Sequence, residues 1–332
     1  MSMHRRFVLK SAGALALAGT LPGALRTAGA QVVDKTASII SGFPVGGIGD
    51  YVARPMAEKL RGRYATNVIV DSRVGAGGRV AIDYVRRAQP DGMTILQIPS
   101  SAMTLYPHTY RKLSYDPIAD FAPVSSTVMY SFVMTAGPAV PEQVKTLADY
   151  IAWVKANPKL ASYGIPSAGS APHFVGMMLE KRIGTPLTAV PYKGGAPLLT
   201  DVLGGQVPSG IHVLGEVMPH IRAGRLRGLA VSSAERSKFL PSVATFAEQG
   251  YPDIVVQEVL GWFVPAKTPR EMIVRLNGQL QEGLEDPALV KSLAENGLQP
   301  IHQSPEEFGK LIQEDLKRWG PIVKASGFTA ED

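Results

Sequence analysis

The chain has 332 residues, 45% hydrophobic and 19% charged, which is a typical globular composition with room for two domains. The formal net charge is +6, and without the four cations in the first thirty residues, which contain no acid, it is +2. Lys and Arg are scattered over that remainder, which excludes nucleic acid as a partner. The chain has no cysteine, which excludes disulfides, thiolate metal sites and a cysteine nucleophile.

The first thirty residues have the pattern of an export signal. Arg5-Arg6 begins a twin-arginine motif, an apolar stretch follows, and Ala28-Gly-Ala30 fits a cleavage site before Gln31. The apolar stretch, Ser11 to Leu21, is too short for a membrane span, which needs about 20 residues. We therefore expect a twin-arginine signal peptide over residues 1–30 and a periplasmic mature protein without stable membrane insertion. A short N-terminal anchor is the alternative.

The mature chain opens with a strand, a glycine-rich loop and a helix. Apolar residues predict a strand at Ala37–Ile40 and a helix at Tyr51–Leu60, and Phe43–Asp50 forms the loop between them. Glycines let a ligand approach the bare backbone, and the first N–H groups of a helix have no intrahelical partners. This pattern favours an anion at the start of the helix. A tight turn without a ligand is the alternative.

The next elements continue the alternation. Strands are predicted at Asn67–Asp71 and Met93–Ile98, with a helix at Arg79–Ala88 between them. Ser100 and Ser101 follow the third strand, where open α/β sheets place their ligands, although both are also suited to capping the next helical turn.

A second strand, Gly/Ser loop and helix occurs in the middle of the chain. After one or two strands at Val124–Thr135 and a helix at Thr146–Asn157, a short strand at Leu160–Tyr163 precedes the loop Gly164–His173, and a helix is predicted at Phe174–Arg182. The single residues Ser167, Ser170, His173 and Lys193 also have ordinary interpretations: helix capping for the serines, a partly buried histidine and a solvated surface lysine.

The rest of the chain completes two α/β halves. The remaining predicted elements are strands at Leu187–Val190, up to Ile211, at Leu226–Val231 and at Val255–Val264, and helices up to Leu203, at Met218–Ala223, Pro269–Glu285, Pro287–Asn296 and Ser304–Lys324. Ser304 and Glu307 form a capping-box pattern at the last helix. We expect the chain to cross between the halves twice, giving domain 1 over 31–127 plus 258–332 and domain 2 over 128–257.

No catalytic pattern emerges. Gly47-Ile-Gly49 begins a dinucleotide fingerprint and Asp71 lies at the position of a ribose-binding acid, but Val52 replaces the third glycine. No G-x-S-x-G elbow is present, and the histidines lack metal-ligand spacing. We predict a protein that is not an enzyme and needs no cofactor or metal, with an exported nicotinamide-dependent oxidoreductase as the alternative.

Several motifs in collinear order carry a resemblance to a known family. They are Phe43–Asp50 with Ala53-Arg54, Arg73–Gly78, Pro90–Gly92, Asp120–Val124, Tyr192–Gly194, Gly204–Val207, Arg236 with Leu240–Val243, and Pro265–Pro269. Together they resemble the Bug receptors, the TctC-like periplasmic substrate-binding components of tripartite tricarboxylate transporters. Val74 and Lys267 depart from the usual proline and glycine of that pattern, which puts the shape of those two loops in doubt.

The resemblance implies a two-domain, type II-like periplasmic-binding-protein fold, each domain a mixed β-sheet flanked by helices, with the ligand cleft between them. The implied ligand is a small organic anion, a mono- or dicarboxylate, and the implied partners are membrane transporter subunits. The residues that match the ligand-binding positions of the family are Phe43, Val45, Gly46, Gly47 and Asp50 in one loop, Ser167, Gly169, Ser170 and His173 in the other, and Ser100, Ser101, Lys193 and Gly194 along the cleft.

Overall fold

The computed structural model of the protein describes residues 33–330, so the predicted signal peptide lies outside the described residues. The strands are β1 (Val33–Ser41), β2 (Ala65–Ser72), β3 (Thr94–Pro99), β4 (Phe121–Ala136), β5 (Ser162–Ile165), β6 (Thr188–Pro191), β7 (Ser209–Val213), β8 (Arg227–Val231), β9 (Gln257–Pro265) and β10 (Gln299–Pro300). The helices are α1 (Ile48–Leu60), α2 (Arg79–Arg86), α3 (Ser101–Thr104), α4 (Tyr106–Thr109), α5 (Leu147–Ala156), α6 (Ala171–Ile183), α7 (Gly195–Leu203), α8 (Leu214–Arg222), α9 (Arg270–Leu284), α10 (Pro287–Glu295) and α11 (Pro305–Ser326).

The strands form one continuous mixed sheet. Its order is β2-β1-β3-β9-β4-β7-β5-β6, and β8 and β10 also pair with β4. β1 runs parallel to β2 and β3, and β5 runs parallel to β6 and β7, whereas β4 and β9 run antiparallel to each other. Since the carboxyl ends of parallel strands meet at one edge, the loops that follow β1 and β3 lie side by side.

β4 joins two parts of this sheet. Its residues up to Ser131 pair with β9, and those from Phe132 to Ala136 pair with β7. We call β1, β2, β3, β9, β10 and the first part of β4 the first sheet region, and β5 to β8 with the last part of β4 the second sheet region. The predicted domain boundaries fall within β4 and at the start of β9, and the division into domains 31–127 plus 258–332 and 128–257 remains a prediction.

Helix α1 shows how the first region folds. Val52, Met56 and Leu60 recur at four-residue spacing and are fully buried, so one face of the helix packs against the core. That face contacts β2 and α9. The helix begins at Ile48, three residues before the predicted start at Tyr51, and its first residues Ile48 and Gly49 are buried as well. The glycine-rich loop is correspondingly shorter.

Further differences from the predicted elements are shifted starts, such as Leu214 instead of Met218 for α8, and short segments. Helices α3 and α4 have four residues each and β10 has two, too few to produce a periodic pattern. The strand expected at Leu160–Tyr163 begins at Ser162, since Pro158–Leu160 forms a turn of 3-10 helix. In residues 33–330 no helix combines the length and hydrophobicity needed to cross a membrane.

Candidate functional site

A cavity of about 80 Å³ lies between the two sheet regions. At roughly 10–15 Å³ per water, this volume holds about five to eight waters or one small organic molecule. Its wall includes Ser41, Phe43, Pro44, Val45, Gly47, Ile48, Gly49, Gln97, Ser101 and Tyr106 from the first part of the chain, Tyr130 and Phe132 of β4, Pro166, Ser167, Ser170, Pro172, Gly195, Ala196 and Glu216 from the second part, and Glu258 of β9. The residues that line it, all within the described part of the chain, include no Lys, Arg or His.

Helix α1 begins at this cavity without a side-chain cap. Gly47 occupies the N-cap position with φ −86° and ψ 179°, and no side chain accepts a hydrogen bond from the first turn. Gly47, Ile48 and Gly49 all line the cavity. The backbone therefore presents the positive end of a 13-residue helix to the cavity.

Asp50 stabilises the loop before α1 instead of lining the cavity. Its carboxylate accepts hydrogen bonds from the backbone N–H of Gly46, at 3.3 Å, and from Arg54 Nε, at 2.8 Å. Gly46 adopts φ +87°, which glycine tolerates far better than other residues. These contacts hold the loop in the shape that brings Gly47 to the cavity.

Helix α6 begins at the opposite side of the cavity, also without a side-chain cap. Ser170 stands at its N-cap position, but its Oγ donates a hydrogen bond to Ser167 O at 2.6 Å, so capping by this serine is not observed. Both serines line the cavity. The loop is held by His173, whose Nδ1 accepts a hydrogen bond from the N–H of Gly169 at 3.1 Å.

His173 is a structural part of that loop. Its ring packs edge-on against Phe328, with 4.6 Å between ring centroids, and burial lowers its pKa to about 4. The imidazole is therefore neutral at pH 7 and adds no positive charge near the cavity.

A third uncapped helix, α7, also begins at the cavity. Its N-cap residue Gly194 has φ +109°, and a Cβ atom there would lie 3.2 Å from Pro44 Cδ, so the α7 loop touches the loop before α1. Gly195 and Ala196 line the cavity, whereas Lys193 is exposed and does not. The N-termini of α1, α6 and α7 thus border one small space, together with that of α8, whose N-cap residue Val213 also lines it and provides no side-chain cap.

Three carboxyl- or amide-bearing side chains of the cavity wall were not predicted from the sequence, and neither were the hydroxyl-bearing Ser41, Tyr106 and Tyr130. Glu258 is 6% exposed and accepts hydrogen bonds from Ser101 N–H at 3.2 Å and from Tyr130 Oη at 3.1 Å. Glu216, in the first turn of α8, and Gln97, in β3, are the other two. Burial raises the pKa values of both glutamates to about 7.

A signal for two of these residues was present in the sequence. Glu258 interrupts a run of apolar residues that predicts a buried strand, and Gln97 does the same in β3. A buried polar side chain inside such a run needs a partner, and this need marks it as a residue of interest. Glu216 gives no such signal, because an acid in the first turn of a helix is common.

The structure brings part of the predicted site residues together. Those that line the cavity are Phe43, Val45, Gly47, Ser101, Ser167 and Ser170, and those that do not are Gly46, Asp50, Ser100, Gly169, His173, Lys193 and Gly194. Ser100 pairs with β9 instead, since its N–H donates to Val259 O and its Oγ accepts from Val259 N–H. Among the described residues, no group of three or more His, Asp or Glu side chains could hold a metal ion.

Comparison with known proteins agrees with this architecture. Protein BugT of Bordetella pertussis is 33% identical over 290 residues, which cover 86% of this chain and 87% of that protein. The solved structure of the periplasmic binding protein BugD aligns with a TM-score of 0.82 at 29% identity, covering 89% of this chain and 99% of BugD. The R. palustris protein Rpa4515, solved with adipate, aligns with a TM-score of 0.83 at 30% identity, covering 89% of this chain and 98% of that protein.

These likenesses identify the fold as that of the periplasmic binding proteins, a mixed α/β fold, and do not favour the nicotinamide-dependent oxidoreductase. The sequence pattern of the tripartite tricarboxylate transporter family receptor, TctC, matches residues 52–328. This match covers most of the chain and agrees with the resemblance to the Bug receptors. The chain therefore belongs to the TctC family of tripartite tricarboxylate transporter receptors.

Proposed function

We propose that the protein is a periplasmic receptor that captures a small organic carboxylate in the cavity and delivers it to a tripartite tricarboxylate-type transporter. The observation that carries this proposal is the convergence of three uncapped helix N-termini, those of α1, α6 and α7, on one cavity. Each N-terminus carries a partial positive charge and open N–H donors. A carboxylate placed among them gains hydrogen bonds without an arginine.

The magnitudes favour direct hydrogen bonds as the main source of affinity. A helix N-terminus stabilises a nearby anion by about 0.3–2 kcal/mol, so three of them fall short of the roughly 8 kcal/mol of micromolar binding. Charge-assisted hydrogen bonds add about 1.5–3 kcal/mol each. We assign these bonds to the backbone N–H groups at the start of α1 and to the hydroxyls of Ser101, Ser167 and Ser170, which line the cavity.

A thermal-shift screen tests the proposal. Mono-, di- and tricarboxylates and aromatic acids are compared with nicotinamide nucleotides, because the alternative is an exported oxidoreductase. At least one carboxylate is expected to raise the unfolding midpoint in a concentration-dependent manner. No shift with any carboxylate, together with a shift by a nicotinamide nucleotide, would reverse the assignment.

We further propose that residues 31–127 with 258–332 and residues 128–257 act as two lobes that close around the ligand. Within residues 33–330 the chain crosses between the two sheet regions twice, in β4 and in the segment that leads into β9, and two such connections permit hinge motion. Small-angle scattering with and without the best ligand of the screen checks this. We expect a smaller radius of gyration with the ligand, and equal radii would contradict closure.

The twin-arginine leader is part of the same proposal. Replacing Arg5 and Arg6 together by Lys is expected to leave the precursor in the cytoplasm, because the export machinery recognises the arginine pair as its targeting signal. Fractionation of the producing cells measures this. Normal amounts of protein in the periplasm would argue for a different export route.

A further inference from the structure

The carboxyl group of Glu216 is part of the wall of the proposed binding site. Its Oε2 occupies the space in which a Cβ atom of Gly195 would stand, and its Oε1 lies 3.8 Å from the Cβ position of Gly47. The carboxyl group is therefore next to the N-termini of both α7 and α1. No hydrogen bond links it to another residue in the described part of the chain, although it lines the cavity.

Glu216 differs in this respect from the other acid of the cavity. Glu258 already accepts hydrogen bonds from Ser101 and Tyr130, and these contacts fix its carboxyl group to the wall. Glu216 has no such partner, so its oxygens are available as acceptors to whatever enters the cavity. A ligand that donates a hydrogen bond would supply the missing partner.

A second, independent polar group also lacks a partner. Gln97 is 1% exposed and lines the cavity, and neither its Oε1 nor its Nε2 has a hydrogen-bond partner. Its Oε1 lies 3.2 Å from the Cβ position of Gly49, at the start of α1. Buried amides are normally hydrogen-bonded, so an unpaired amide in a cavity wall indicates a ligand that carries both acceptor and donor atoms.

The charges of the wall limit the chemistry of that ligand. Glu216 and Glu258 line the cavity with pKa values raised to about 7, so each carries part of a negative charge at pH 7.5, and the lining residues include no Lys, Arg or His to balance it. A second carboxylate on the ligand would lie among like charges in a partly desolvated space. A nitrogen that donates hydrogen bonds would be attracted to the same place.

We propose that Glu216 is a specificity-determining residue, which selects carboxylic acids that also carry a hydrogen-bond-donating nitrogen and disfavours a second carboxylate. This inference rests on the proposed function, because the carboxylate of the ligand is held by the helix N-termini. The nitrogen can be an ammonium or an amide, since both donate to a carboxyl oxygen. The raised pKa of Glu216 agrees with a site that lacks a cation of its own.

The test is isothermal titration calorimetry at pH 7.5 with two series of matched acids. One series is succinate, 4-aminobutanoate and succinamate, and the other is adipate, 6-aminohexanoate and the monoamide of adipic acid. In each series the nitrogen-bearing acid is expected to bind at least 10-fold more tightly than the dicarboxylate of equal length. The ammonium and amide members show whether charge or hydrogen bonding alone carries the preference.

The variant Glu216→Gln keeps the size of the side chain and removes its negative charge. We expect the preference for nitrogen over carboxylate to fall at least 10-fold, chiefly through tighter binding of the dicarboxylate. Glu271→Gln, the same change at an exposed position of α9, is the matched control and is expected to keep the wild-type preference. Glu216→Gln is expected to unfold cooperatively with a midpoint at or above that of the wild type, because the cost of a buried charge is removed, and this result shows that folding is preserved.

The possible failures are distinguishable. Dicarboxylates that bind the wild type as tightly as the nitrogen-bearing acids, or a preference unchanged in Glu216→Gln, would overturn the inference and leave the proposed function intact. Failure of both series to bind overturns the inference as well. If the wider carboxylate screen also shows no binding, the proposed function fails with it.

Discussion

Two sets of helices in this protein begin in opposite ways. Away from the cavity, α5, α10 and α11 begin with side-chain caps from Thr146, Asp286 and Ser304, and two of these are full capping boxes, whereas α2 and α9 have no side-chain cap. At the cavity, α1, α6 and α7 begin without a side-chain cap. A cap contributes about 0.5–2 kcal/mol to stability. The convergence of α1, α6 and α7 on one cavity, rather than the lack of a cap alone, points to a ligand as the missing acceptor.

The acids at the capped helix starts and the acids in the cavity wall also differ, in the direction of their pKa shifts. Backbone and side-chain hydrogen bonds at the capped helices lower the pKa values of Asp149 and Glu307. In the cavity, burial raises the pKa values of Glu216 and Glu258 to about 7. The same chemical group is therefore held in its charged form where it closes a helix and is driven towards its neutral form where it faces the ligand space.

The largest expected effect comes from filling the α1 entrance. Gly47→Val is expected to weaken carboxylate binding at least about 1,000-fold, or roughly 4 kcal/mol, because the new methyl groups project into the cavity. Folding should be nearly unaffected, since φ −86° and ψ 179° suit valine and the Cβ position is 3.5 Å from its nearest neighbour, Pro44 O. Calorimetry and thermal unfolding measure the two effects.

Gly278→Val is the control for this prediction. Gly278 lies in α9, and a Cβ atom there would meet no atom within 4 Å. We expect it to retain full affinity. Retained affinity in Gly47→Val itself would show that the glycine loop is only a turn.

The next largest effect is on the pH dependence of stability, and it comes from Glu258 in the cavity wall. Burial raises the pKa of Glu258 from 4.5 to about 7. Between these two pH values the folded protein still holds the proton on this carboxyl group, whereas the unfolded chain has released it. The free energy of unfolding of the wild type should therefore fall relative to Glu258→Gln as the pH rises from 5 to 8, by up to about 3 kcal/mol.

Urea unfolding of both proteins at pH 5, 6.5 and 8 measures this difference. His173 and His212, whose pKa values are lowered by burial, titrate in both proteins and cancel in the comparison. A difference that stays constant with pH, or that grows in the opposite direction, would contradict the raised pKa of Glu258.

Adding a cap to α1 tests whether the ligand uses the open N–H donors of that helix. Gly47 has the extended backbone of a normal N-cap residue, so in Gly47→Ser the new hydroxyl can accept a hydrogen bond from the first turn of α1. Stability should rise by a few tenths of a kcal/mol, and carboxylate affinity should fall about 10-fold, or roughly 1.4 kcal/mol. Unchanged affinity would mean that the ligand does not use these donors.

Removing an existing cap gives the smallest effect and the opposite pattern. Ser304→Ala should lower the free energy of unfolding by about 1 kcal/mol, because the N–H of Glu307 loses its acceptor. Carboxylate affinity should be unchanged, since α11 does not begin at the cavity. A loss of affinity comparable to that of Gly47→Ser would remove the distinction between the two sets of helices.

The sequence predicted the order of the main elements because they carry periodic apolar patterns. β1 and α1 were found in this way, the capping box of Ser304 was found from its polar spacing to Glu307, and the family resemblance added the fold. Six of the predicted residues line the cavity, and their role in ligand binding stays a prediction: Phe43, Val45, Gly47, Ser101, Ser167 and Ser170. Short segments such as α3, α4 and β10 contain too few residues to form a pattern.

The parts of the site that were missed depend on tertiary structure. Asp50 and His173 lie in two loops that reach the cavity, but each uses its polar atoms to hold the loop, which sequence alone does not reveal. Glu216 comes to the cavity because α8 follows β7, and Glu258 because β9 crosses beside β3. Neither lies near the glycine loops along the chain, so no local motif could include them.

The central claim is that open helix N-termini hold the carboxylate of the ligand. The most direct test is a crystal structure of the protein with the carboxylate that gives the largest thermal shift. We predict a carboxylate oxygen at about 2.7–3.2 Å from backbone nitrogen atoms at the start of α1, α6 or α7. A carboxylate bound elsewhere, with those nitrogen atoms facing only water, would contradict the account.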